Sequence, residues 1–88
     1  MSDPVSWFLI EPGWKVVDAD GKNIGRIEEV VGDTAEDIFN GLAVSTGLLA
    51  KPRYVPAEQV GEITEGEVQL KLPAEHVDRL EEHKPPAV

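Results

Sequence analysis

The side chains that could do chemistry in this chain are few, and their spacing suits none of the familiar reactions. His76 and His83 stand seven residues apart; on a helix that spacing puts them on one face but roughly 10 Å apart along the axis, too far for one metal ion to bridge. Asp18-Ala19-Asp20 invites a calcium-loop reading, because twelve positions counted from Asp18 end at Glu29, where such a loop needs its bidentate carboxylate. The rest of that pattern fails: Lys22 falls where a ligand belongs and Asn23 where the turn glycine belongs. Asp33, Glu36 and Asp37, and again Glu81 and Glu82, cluster in sequence as ordinary solvated carboxylates. Ser2, Ser6 and Ser45 have no nucleophile elbow or triad context. Gly21 and Gly25 flank no phosphate-loop pattern and read as turn and bulge. The chain has no cysteine, which excludes disulfides, thiolate metal sites and thiol catalysis together. The expectation is a protein with no catalytic residues, no cofactor and no metal, hence not an enzyme.

Binding residues are easier to find. Lys51, Arg53 and Tyr54 place two cations and an aromatic within four positions, a possible basic patch for nucleic acid. The overall balance argues against it. Eight Lys and Arg face 17 Asp and Glu, a formal charge of -9, so the mean field repels polyphosphate and anionic lipid, and the patch reads as an outward strand face. Direct nucleic-acid binding is therefore not expected. At the other end, Val5-Ser6-Trp7-Phe8-Leu9-Ile10 concentrates one of two tryptophans and one of two phenylalanines with three aliphatics. Residues 1–12 form an apolar arm or an extra strand, buried within their own domain or packed on a neighbour. Trp7, Phe8, Leu9 and Ile10 are the candidate interaction residues, since so much contiguous apolar surface is unusual on a monomer.

The elements that must position these residues are mostly strands. At 88 residues, 41% hydrophobic and 28% charged, the chain fits one globular domain of modest stability. Trp14 to Val17 and Ile24 to Val31 form a hairpin about Asp20-Gly21, where glycine supplies the positive φ of a tight turn. Ile38 to Val44 is a third strand. A fourth runs from about Leu48 to Val55 and is put at an edge, bulge or bend by Pro52 and Pro56, which cannot donate to a ladder. Val60 to Ile63 and Val68 to Leu72 complete the set, the last alternating with Val68, Leu70 and Leu72 inward. Six short strands at hairpin spacing predict an all-β domain, a closed β-barrel or a sandwich. From Pro73 the period changes: Ala74, Val77 and Leu80 lay an apolar stripe along a short C-terminal helix over 73–84, ended by Pro85-Pro86, with 85–88 a tail. The helix is expected to cover an open end of the barrel.

The run from Gly13 to Val30, with its short strand, Asp-Gly turn and Ile24-Gly25-Arg26-Ile27 strand, resembles the opening of a PRC-barrel domain. Leu42 to Gly47, Tyr54-Val55-Pro56 and Val68-Gln69-Leu70 are similar to its middle and final strands, so the resemblance covers 13–72. It implies a mainly β, six-stranded PRC-type β-barrel. The family includes the cytoplasmic part of the reaction-centre H subunit, the C-terminal domain of a ribosome-maturation factor and stand-alone proteins, and its members bind proteins. With neither a membrane anchor nor a preceding domain expected here, the resemblance implies a non-enzymatic protein-interaction module with an unidentified protein partner. The chain is expected to be a cytoplasmic homodimer without membrane contact; the alternative is an accessory factor in RNA metabolism or ribosome assembly.

Overall fold

The computed structural model describes residues 6–33, 35–47 and 51–82. Six strands form one sheet: β1 (Lys15–Val17), β2 (Asn23–Asp33), β3 (Ile38–Ser45), β4 (Arg53–Pro56), β5 (Val60–Thr64) and β6 (Glu67–Leu70). Their order is β4-β3-β2-β1-β6-β5. Every pairing is antiparallel except β1 with β6, which is parallel and sets Lys15 opposite Glu67, where their side chains form an ion pair of 3.1 Å. The hairpin reading anticipates six strands, though the fourth begins only at Arg53, with 48–50 of its expected span outside the described residues, and it does not anticipate this parallel seam between the first strand and the last.

The sheet is a six-stranded, mostly β fold curled into a half-barrel. No ladder between β4 and β5 occurs among the described residues; a 3₁₀ turn, Ala57–Gln59, links the two strands instead. Curvature comes from β2, whose eleven residues pair with β3 through irregularities between Ile27 and Glu29 and between Val31 and Gly32. Such bulges bend a strand and tighten its twist. The inward side chains Val16, Ile27, Leu42, Val44, Val55, Val68 and Leu70 form the core, all of them buried. The inward placement of Val68 and Leu70 follows from the period of two in their strand; Leu72 is only partly buried.

The C-terminal helix is shorter than the periodicity suggests. Helix α1 spans Ala74–Val77 only, and the chain then tightens through bonds from the Arg79 N–H to the His76 carbonyl and from the Leu80 N–H to the Val77 carbonyl. The apolar stripe survives, with Val77 in the core and Leu80 packed against it. A one-turn helix gains little from its own hydrogen bonds. Residues beyond Leu80 find partners on the edge of β4, where Glu82 bridges Arg53. Among the described residues no helix is long and apolar enough to cross a membrane.

One carboxylate organises the hairpin end. The Asp18 side chain is buried; its Oδ1 accepts from the backbone N–H groups of Asp20 and Lys22, both at 2.9 Å, and its Oδ2 from that of Ala74 at 3.3 Å. Gly21 then turns the chain at φ 87°, in the left-handed region that glycine enters without strain. Asp18 thus ties the first hairpin to the root of α1.

Candidate interaction surface

Among the described residues of the apolar arm, 6–12, there is no strand, and the segment packs on the sheet; residues 1–5, Val5 among them, lie outside the described residues. Trp7–Leu9 form a 3₁₀ turn, capped by the Ser6 hydroxyl, which accepts from the Phe8 N–H at 3.3 Å. The turn lets alternate side chains diverge. Ile10 leaves it inward and is 6% exposed, a core residue, which removes it from any contact surface. Trp7 lies half-buried over the end of the sheet, stacked on Phe39 at 5.0 Å between centroids and on Phe8 at 4.5 Å. Its indole N–H donates to Asp37 Oδ1 at 3.3 Å. Gly32 makes room beneath it: a Cβ there would meet the Ile38 carbonyl and stand 3.2 Å from the indole ring.

What remains outside is a ridge. Phe8 and Leu9 are 46% and 58% exposed on consecutive positions, and Ile38, near the same end, is 48% exposed. Leu9 also walls a cleft of about 340 Å³ with Trp14, Glu11 and Glu65, so the ridge runs into a hollow lined by two apolar side chains and two glutamates. The arrangement gives large apolar side chains a fixed geometry, because the Trp7 stack and the buried Ile10 hold the turn on both sides. Chemically it can bury surface; it offers no nucleophile or ligand set.

The residues of the basic patch are engaged within the chain. Arg53 donates through Nη1 to the Leu80 carbonyl at 3.0 Å, Lys51 pairs with Glu82 at 3.7 Å, and the Tyr54 hydroxyl donates to the Asn40 carbonyl at 2.8 Å. All three face partners within the chain. Of the other sequence candidates, Asp33 Oδ1 accepts from the N–H groups of Ala35 and Glu36, and Asp37 holds Trp7. His76 is exposed on α1, and His83 lies outside the described residues. Among the described residues no group of three His, Cys, Asp or Glu side chains could hold a metal ion.

Asp18 is the residue that motif reading undervalued. The backbone N–H of Lys22 chiefly, with those of Asp20 and Ala74, holds its carboxyl below the usual aspartate range against the opposing pull of burial. Both oxygens are occupied by amides, so the carboxylate serves the fold. The available signal was local: an Asp two residues before Asp-Gly commonly accepts from the turn's own N–H groups.

A single curled six-stranded sheet with a short helix against its core defines a small half-barrel β domain. The family model of the PRC-barrel domain matches residues 13–77, and the chain belongs to that family. No curated protein matches it. The matched span contains all six strands and α1; the ridge at 7–9 and the segment at 80–82 both lie outside it.

Proposed function

We propose that this PRC-barrel domain is a non-enzymatic protein-interaction module that self-associates through the ridge formed by Trp7, Phe8 and Leu9. The observation that carries the reading is the exposure of Phe8 and Leu9 side by side on a turn that Ile10 and the Trp7 stack fix in place. A rigid apolar turn loses little conformational freedom on binding, which favours affinity per unit of buried area. A second copy is the simplest occupant, since a patch on a two-fold axis meets itself. Two chains of charge -9 repel, so dimerisation strengthens as salt screens that repulsion. Nothing in the placement of Lys51, Arg53 and Tyr54 favours direct contact with RNA.

Light scattering coupled to size exclusion tests this. The full chain runs as a dimer at high concentration, more completely at raised salt, and Leu9→Asp, which leaves the Trp7 stack intact, shifts it to monomer in a chain that remains folded by circular dichroism. A monomer under all conditions, indifferent to the substitution, overturns self-association.

A further inference from the structure

The outer edge of β4 has an unusual donor pattern. In an antiparallel strand, alternate residues direct both N–H and C=O to the same side. The Tyr54 N–H points away from β3, since it donates to the Glu81 carbonyl at 2.9 Å. The neighbours that share its direction are therefore residues 52 and 56, and both are proline. That edge offers one main-chain donor, and the chain's own segment 80–82 has taken it.

The same segment shows how the edge is read. Leu80 packs against the core, its carbonyl accepts from the Arg53 guanidinium at 3.0 Å, and Glu82 pairs with Lys51 at 3.7 Å. With a single main-chain donor on an edge whose outward carbonyls can only accept, side chains add the recognition: an apolar seat, a guanidinium for a carbonyl, and an ammonium for a carboxylate two residues later. The attachment is light. The side chains of Lys51 and Glu82 are 75% and 40% exposed, and among the described residues one β-bridge, Arg53 with Glu82, joins the segment to the sheet.

We propose that the β4 edge is a docking site for an extended acidic segment of a partner protein, one with an apolar residue two positions before a carboxylate, and that residues 80–82 are its resident competitor. The charge complementarity is local and specific: in a chain of net charge -9, Lys51 and Arg53 stand together on this edge and present cations to whatever lies there. A partner strand of the same pattern gains the same contacts by displacing the tail, which is strand addition with an internal plug. This site is separate from the ridge and does not depend on self-association there.

The test is an NMR titration of the isotope-labelled full chain with a capped peptide of the sequence of residues 78–82, and with the same peptide carrying lysine at both glutamate positions. The acidic peptide shifts the amides of Arg53, Tyr54 and Val55; the lysine peptide does not. Glu82→Lys in the protein loosens the resident segment, so the acidic peptide binds roughly threefold to fivefold more tightly, as expected when a competing closed state is depopulated. Lys51→Glu, which repels acidic residues from the edge, abolishes the shifts in a chain that remains folded by its amide spectrum. Equal binding of both peptides, or no shift at residues 53–55 even in the Glu82→Lys protein, overturns the proposal. Shifts at these residues that grow with protein concentration alone assign the edge to a second copy's tail and overturn the partner segment.

Discussion

Two segments flanking the PRC-barrel match lie back on the sheet, and they are held by different forces. Residues 6–10 are fixed by Ile10 in the core and by the Phe8–Trp7–Phe39 stack. Residues 80–82 are fixed by one partly buried leucine, two hydrogen bonds to carbonyls and an exposed ion pair. Apolar burial is lost only when the whole contact separates, whereas exposed polar contacts exchange with water one at a time at little net cost. The N-terminal segment is accordingly a platform that presents residues, and the C-terminal one a strap that can be exchanged.

The sharpest way to break this contrast is to remove one anchor from each segment. Ile10→Ala deletes a buried side chain and costs about 2–4 kcal/mol, whereas Leu80→Ala, at a partly buried site, costs about 1 kcal/mol. Chemical denaturation of the two variants measures both, and equal losses would mean that the two segments are anchored alike.

Asp18 offers the next largest effect and belongs to the C-terminal side, since it accepts from Ala74 at the root of α1. Its carboxyl titrates lower when folded than when unfolded, so its contribution is fully present above the unfolded value near pH 4 and is lost as pH falls through the folded one. Asp18→Asn puts an amide donor against one of the three backbone donors and removes the titration. The wild type is more stable than this variant at neutral pH, and thermal melts show the gap narrowing below about pH 4. A gap independent of pH would show that the carboxylate's charge plays no part.

What the sequence revealed and what it hid follow from distance along the chain. The β1–β2 hairpin was legible because Asp20-Gly21 acts locally, and the edge position of β4 because Pro52 and Pro56 each remove a donor at their own position. The parallel pairing of Val16 with Val68 leaves no mark in either strand, since both read as apolar alternation whichever neighbour they find. Ile10 was indistinguishable from Phe8 and Leu9 within one apolar run; only a 3₁₀ turn decides which side chain goes inward. Lys51, Arg53 and Tyr54 read as an outward strand face or a possible basic patch, without their partners, because the groups that meet them, Glu82, the Leu80 carbonyl and the Asn40 carbonyl, are remote in sequence or belong to the backbone.

The smallest effect concerns the strap's own ion pair, and its size decides whether the strap can be exchanged. Lys51 and Glu82 are both substantially exposed at 3.7 Å, a geometry in which solvent screens most of the attraction. A double-mutant cycle with Lys51→Ala and Glu82→Ala should give a coupling of about 0.5 kcal/mol at low salt, fading as ionic strength rises. Hydrogen exchange at the Tyr54 amide reports the same opening from the backbone side, because that N–H is covered only while Glu81 stays in place. Exchange there should be faster than at the core amides of β3 in the wild type, and faster still in the double variant. Exchange at Tyr54 as slow as in β3 would mean that the strap opens only with the whole domain, which would make it a fixed seventh element of the sheet.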